Sequence, residues 1–522
     1  MDRSNQKGIA LILTLILVLV MSVMAVSLMF MSQSETWSSM NYRLMSQSRD
    51  GAEAGIHSAA NYIVNATSNP HYTPPGGASD PTTAYTTTAS PVTYGGTPVI
   101  LSTSTSISGH SSNYPLSSVI SDFNTTGVGR GSVTAGYLTI NYNTEATLLS
   151  MHSGFIPFGM TAPTTVQTWK IVSDGSISTI RNAKVEVAAI LEQHITPTFN
   201  YAAFATYTGC DALKFGGGGI TNSYDSSTYS GVGKPAVSAS DGNVGTNGNL
   251  DEVGKTTTIN GDLFTPRTGT GVCTVSNVTA WTDSSGKING SVVPLPQSIT
   301  YPNPVIPPPG TIDVTLSGNS CPTGASAIPG CQASAGPPAG VYLPPGNYHN
   351  IAISGLTNLH FSPGVYDINT FTETGANTAL VIDEAGCSSP CGVAGFDVPG
   401  TGSVILKVAG NDSSGNPVAA GTNVLTLTGN SVQNPTLVPS YFQVLYAGVG
   451  NLQLAGGSTA AGLIYAPSAS YAFTGGADWY GSVIGAQMTD MGGTSLHYDR
   501  RLNKSALMVG NWMLDSFTWR KY

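Results

Sequence analysis

Ile9 to Met31 reads IALILTLILVLVMSVMAVSLMFM, about 23 residues without a charge or a proline. At ~1.5 Å per residue such a helix reaches about 35 Å, enough to cross a bilayer core of about 30 Å. Arg3 and Lys7 precede the run, and Ser32, Gln33, Ser34 and Glu35 follow it. The positive-inside rule therefore predicts a single-pass segment with its N-terminus in the cytoplasm and everything after Met31 on the other side. The run is longer than the apolar part of a secretory signal, and more helix-forming sequence follows it. From Ser32 to about Asn65 no proline intervenes, and Met40, Leu44, Ala52, Ala59 and Ile63 recur at near-helical spacing before Pro70. The expectation is one continuous helix over residues 9–65, roughly 85 Å long.

Beyond this rod the composition changes. Only 9% of the 522 residues are charged, against roughly 25% in ordinary globular proteins. With 62 Gly, 32 Pro and abundant Ser, Thr and Asn, the text favours many short strands joined by turns, a mainly β fold. A net charge of −9 with 19 Lys and Arg leaves no basic patch to neutralise phosphates, so no nucleic-acid partner is expected. The six cysteines, Cys210, Cys273, Cys321, Cys331, Cys387 and Cys391, all follow the membrane-length run and fit disulfides in an oxidising compartment. Cys321/Cys331 and Cys387/Cys391 close short loops, leaving Cys210/Cys273 by elimination among the many connectivities six cysteines allow. No CxxC pair or nearby histidine supplies zinc spacing.

Residues 66–131 are dominated by Thr, Ser, Gly and Pro and read as linker or irregular loop. Over 132–195 three alternating runs, Tyr137–Tyr142, Trp169–Ser173 and Lys184–Leu191, predict a small antiparallel β head. From 196 to 522 the text is punctuated by Asn-Gly and Gly-Asn turns. Asn451-Leu452-Gln453-Leu454-Ala455-Gly456-Gly457 recurs as Ser470-Tyr471-Ala472-Phe473-Thr474-Gly475-Gly476, and more loosely as Gln487-Met488-Thr489-Asp490-Met491-Gly492-Gly493. A period near ~20 residues, made of short strands and glycine turns, suits one coil of a right-handed parallel β-helix. The prolines between 294 and 310 form an excursion from it, because proline cannot donate to a ladder. Trp512, Phe517 and Trp519 are expected to cap the last coil.

Chemistry finds little footing. The chain lacks a Gly-x-Ser-x-Gly elbow, a P-loop and a His-Glu-x-x-His motif, so neither an enzyme nor a cofactor nor a metal is expected. Adjacent acids such as Asp383/Glu384 and Asp251/Glu252 point to opposite faces of a strand and make poor pairs for glycoside cleavage. Asp241 to Glu252 places oxygen donors at alternate positions, a faint echo of a calcium loop, but Thr246 stands where such loops need glycine. His497 and Asp499 share a strand face and are expected to make ordinary polar contacts. The 23 Tyr and many Asn suit an uncharged surface for a glycan or a host protein.

Gln6-Lys7-Gly8 followed by Ile9-Ala10-Leu11-Ile12-Leu13 resembles the class III leader junction of type IV pilins and pseudopilins. Arg49-Asp50-Gly51-Ala52-Glu53-Ala54-Gly55 is similar to the stretch closing the N-terminal helix of PilX-type minor pilins. Ala461-Gly462-Leu463-Ile464-Tyr465-Ala466-Pro467, Asp478-Trp479-Tyr480-Gly481 and Leu496-His497-Tyr498-Asp499 resemble the domain found after such N-termini. The resemblance implies a leader over residues 1–8, cut by prepilin peptidase between Gly8 and Ile9, and N-methylation of Ile9. It further implies residence in the inner membrane, then passage into an extracellular pilus among other pilin subunits, in assembly or adhesion. Major pilins carry a Glu at the fifth mature position, where this chain has Leu13. That favours a scarce, tip-located subunit and leaves open a K-type pseudopilin of type II secretion. A membrane-anchored, polysaccharide-active β-helix enzyme is the remaining alternative.

Overall fold

The computed structural model describes residues 5–521 apart from 65–84, 104–106, 108, 137, 156–157, 159–163, 179–181, 231–232, 253–256, 283–286, 325–326, 335–338, 356, 376–377, 383–402, 428–431, 458, 491 and 505–506. The protein is mainly β, with one long N-terminal helix and large parallel sheets. It divides into two compact units, one of Met1–Phe155, Pro163–Ile195 and Val509–Tyr522, the other of Ile156–Ala162 and Thr196–Met508.

In the first unit the helix runs unbroken over Asn5–Val64. Its apolar residues up to Met31 are exposed, whereas Leu44, Ser48, Ala52, Ile56, Ala59 and Ile63 form a buried stripe. Their three- and four-residue spacing keeps them on one face. That face lies on an antiparallel sheet ordered Leu507–Lys521, Ala183–Pro197, Thr164–Ile177, Leu138–Phe155, Ile100–Ser102, with Arg130–Ala135 also on Leu138–Phe155. Ala146 pairs with Ile171 and Trp169 with Leu191, so the three runs read from alternation are neighbouring strands.

Two expectations fail here. Residues 66–131 are not all linker: 65–84 lie outside the described residues, but beyond them come a three-stranded sheet from Tyr85 to Pro98, a strand at Ile100–Ser102 and a helix at Ser117–Phe123. Val92, Val99, Leu101, Tyr114 and Phe123 are buried there, singly spaced apolar residues that seal a core without a periodic run. The C-terminal aromatics, expected as a cap on the last coil, belong to the first unit. Leu507–Lys521 is instead an edge strand beside Ala183–Pro197, and Trp512 and Leu514 pack on the first unit's core while Met513 and Asp515 between and after them are exposed.

The second unit is a stack of short parallel strands. The repeats lie in register: Asn451–Ala455 pairs with Ser470–Thr474, which in turn pairs over Ser470–Phe473 with Gln487–Asp490. Ala461–Ala466 pairs likewise with Tyr480–Gly485. Their turns use Gly475 at φ 86° and Gly493 at φ 76°, a backbone that glycine adopts without penalty. Val404, Leu406, Val408, Phe442, Val444 and Tyr446 are fully buried on successive strands, each row closing over the one below.

The order along the stack departs from chain order. Ala203–Ala205 pairs with Val244–Thr246 on one side and with Val483–Gly485 on the other. The chain therefore builds outward from Ala203 to Val292 and Pro294, crosses to the opposite end, and returns from Val314 to close against its own start. The proline-rich stretch makes the crossing. Leu295 N–H bonds to Thr265 O and Gly310 N–H to Tyr348 O, each at 2.9 Å; between them Tyr465 Oη donates to Pro302 O at 2.6 Å. Ten strand spacings of ~4.8 Å separate the layer of Leu295 from that of Gly310, about 48 Å, and fifteen residues at ~3.1 Å supply about 46 Å. The excursion is thus a strap of nearly the length required.

Cys210 is joined to Cys273, and Cys321 to Cys331. Cys387 and Cys391 lie outside the described residues.

Candidate functional site

The proposed cleavage point, Gly8 to Ile9, falls inside the helix Asn5–Val64. From Ile9 to Met31 every large apolar side chain is exposed, and the helix from Ile9 to Val64 is long and apolar enough to cross a membrane, with a peak mean hydropathy of 3.1. Thr14 Oγ1 donates to Leu11 O at 2.9 Å and Ser22 Oγ to Val18 O at 2.7 Å. Bonding back to the preceding turn leaves these hydroxyls no need of water, as an apolar medium requires. Leu13 is 64% exposed and brings no carboxylate to this surface.

The helix then changes task. A Cβ on Gly51 would stand 2.3 Å from Ile140 Cγ2, and one on Gly55 2.2 Å from Ser173 Oγ. On the sheet side, a Cβ on Gly175 would stand 1.9 Å from Ser48 O and 2.6 Å from Ala52 N. Helix and sheet backbones therefore meet with hydrogen atoms in place of side chains. Each glycine within a helix costs about 1 kcal/mol against alanine, a cost offset here by the close approach. On the outer face Arg49 and Glu53 form an ion pair of 2.7 Å one turn apart, which explains the charged residues interleaved with the small ones.

The other candidate residues do not converge. His497 Nε2 meets Asp478 Oδ1 at 2.8 Å, its Nδ1 meets Asn222 Oδ1, and its ring stacks on Tyr480 with centroids 4.4 Å apart. Lys234 pairs with the second oxygen of Asp478. The His497 hydrogen bond, aided by Lys234 and against burial, holds the Asp478 carboxyl down at about 2. Asp499, two residues on, serves other partners, accepting from Ser226 N–H and Arg501 N–H at 3.2 Å each. In the stretch that echoes a calcium loop, Asn243 Oδ1 accepts from Asp262 N–H at 2.8 Å, Asn247 bonds Ile299 and Asn249 bonds Thr279. Glu252 accepts from Trp281 Nε1 at 2.9 Å. Their polar atoms hold neighbouring strands together, and among the described residues no group of three or more His, Cys, Asp or Glu is placed to hold a metal. Asp383 and Glu384 lie outside the described residues.

Sequence reasoning passed over Asp490. Its carboxyl is fully buried where the third repeat turns. Oδ1 accepts from Gly492 N–H and Thr494 N–H at 3.2 Å each, and burial pushes the group up to about 6 against those bonds. Its place opposite Phe473 in the repeat was the available signal.

The PilX N-terminal family matches residues 7–57, a span holding both the apolar run and the glycine-bearing face. The N-terminal segment is type IV pilin-like. A domain of unknown function, DUF7305, matches residues 359–505, within the parallel stack. No curated protein matches the chain. Among solved structures, the competence-associated pilin ComZ from Thermus thermophilus is 11% identical, covering 76% of this chain and 88% of its own, with a TM-score of 0.26. So loose a superposition bears on neither fold nor function.

Proposed function

We propose that the chain is a minor, PilX-like subunit of a type IV pilus. Prepilin peptidase cuts between Gly8 and Ile9, and Ile9 becomes the N-methylated first residue. The rod waits in the inner membrane and then moves into the filament core among other pilin subunits. The parallel stack, read as a right-handed β-helix, is carried outside at or near the tip, for assembly or adhesion.

One observation carries this reading: a single helix is glycine-sealed to its own head towards its C-terminal end and, over Ile9–Met31, uncharged, predominantly apolar and exposed. A buried Leu, Ile, Val, Phe or Met side chain is worth about 1.5–3 kcal/mol, so the eighteen exposed between Ile9 and Met31 demand an apolar partner. Lipid and the helices of neighbouring subunits both provide one, and the exchange keeps burial roughly constant. Leu13 brings no carboxylate to a subunit amine, which suits a scarce subunit and equally a K-type pseudopilin. Replacing Gly8 with Phe tests the first step, and unprocessed precursor in the membrane with none in sheared fibres is expected. Normal maturation of that variant contradicts the proposal, and loss of enzyme secretion with intact pili favours the pseudopilin.

A further inference from the structure

Three short 3-10 turns of the second unit, Ser226–Thr228, Pro439–Tyr441 and Arg500–Lys504, come together and, with residues beside them, line a cleft of about 650 Å³. That lies within the ~300–1,000 Å³ of small-molecule sites. The turns are far apart in sequence and tied from beneath. Tyr224 Oη donates to Leu437 O at 2.7 Å, and its ring packs edge-on against Tyr480 at 5.1 Å. Leu437 sits at φ 52°, a left-handed backbone that a bulky residue rarely adopts, and the Tyr224 bond holds it. Asp499 is 2% exposed and bridges the first and third turns through Ser226 N–H and Arg501 N–H. A bonded frame around a strained residue is a preformed cleft, which saves the ordering cost of binding.

Charge in the cleft is unevenly committed. Asp499 is engaged as described, and Asp225 accepts from Ser227 N–H at 2.9 Å and from Ser227 Oγ. Those bonds, with Arg500 and Arg501 nearby, hold the Asp225 carboxyl below its ordinary range. The guanidinium groups of Arg500 and Arg501, both exposed, enter no ion pair or hydrogen bond among the described residues. In a chain with only 19 Lys and Arg, two adjacent forks without a direct ion pair or hydrogen bond at one cleft form a concentrated anion-recognising feature. Guanidinium groups match carboxylates in bidentate geometry. Ser440 adds a hydroxyl, Ser227 an acceptor oxygen whose proton is given to Asp225, and Tyr441 an aromatic surface, the combination that takes a sugar ring.

We infer that this cleft binds a saccharide bearing a carboxylate, with Arg500 and Arg501 on the acid and the serines and Tyr441 on the ring. The inference rests on the adhesive role proposed above for the exported unit. The test uses the detergent-solubilised full chain with oligogalacturonate, hyaluronan oligosaccharide and sialyllactose, each beside a neutral counterpart (the methyl ester for the first). At least one acidic member is expected to bind tenfold or more tighter than its counterpart. That preference should fall tenfold or more in Arg500→Gln/Arg501→Gln and severalfold in Tyr441→Ala, and persist in Lys287→Gln, an exposed cation elsewhere. No preference for acidic sugars, an unchanged double variant, or displacement by inorganic phosphate at equal concentration overturns the inference. Recovery of the double variant in sheared fibres keeps the pilus reading separate: fibres lacking even the unaltered chain defeat that reading, whatever the binding result.

Discussion

Gly175→Ala tests the packing on which the rod depends. The added methyl would lie 1.9 Å from Ser48 O and 2.6 Å from Ala52 N, both backbone atoms of the helix. No rotamer change can relieve it, and an ordinary contact needs the helix to retreat about 1.5 Å, loosening Ala52, Ile56 and Ala59 together. Overpacking of this kind costs about 1–3 kcal/mol or more, and the gain from removing a strand glycine returns only about 0.5–1 kcal/mol. A net loss of about 2 kcal/mol is expected. At ~2–4 °C per kcal/mol for a unit of this size, the melting temperature of the helix-bearing unit should fall by about 4–8 °C. Near-ultraviolet circular dichroism of the detergent-solubilised chain reads it through Trp169, which is fully buried in that unit. Gly318→Ala is the control, since a Cβ there meets nothing within 4 Å and should change stability by less than about 0.5 kcal/mol. If Gly175→Ala also stays within that margin, the close approach of helix and sheet is wrong.

Two further outcomes follow from the stack. Asp490 titrates near about 6 in the folded protein and near ~3.9 unfolded, so the native state binds the extra proton between those values. Its contribution is complete below pH ~4 and is lost as pH rises through about 6, a change of roughly 2–3 kcal/mol; Asp490→Asn should flatten the urea midpoint across that window, and an unchanged slope counts against the burial. Deleting Pro304 to Pro308 leaves the strap at about 31 Å for a crossing of about 48 Å. The second unit should then lose protease resistance, whereas an equally stable deletion variant would refute the strand order.

What was legible in the sequence was what repeats locally. The rod announces itself through uninterrupted apolar text, the three head strands through alternation, and the stacked repeats through their glycine pairs. The contact of Ala203 with Val483 has no local signature, because a strand's text does not say which distant strand covers it. The strap was recognisable as an excursion, yet its span follows only from that return. Buried residues between 85 and 131 were hidden by the Ser and Thr around them. Trp512 and Leu514 alternate with Met513 and Asp515 as an edge strand does, but their position after the last repeat suggested a cap. In the helix, Gly51 and Gly55 are part of the stretch similar to PilX-type minor pilins, and only the sheet beneath them gives the reason for their size.

The central claim is that the apolar rod is trimmed at Gly8 and then transferred from lipid into a polymer. Intact-mass and N-terminal peptide analysis of this chain from sheared surface fibres tests it most directly. The account predicts a first residue of Ile9 carrying one methyl group on its amine. Fibre-borne chain that still begins with Met1 through Lys7 would contradict it.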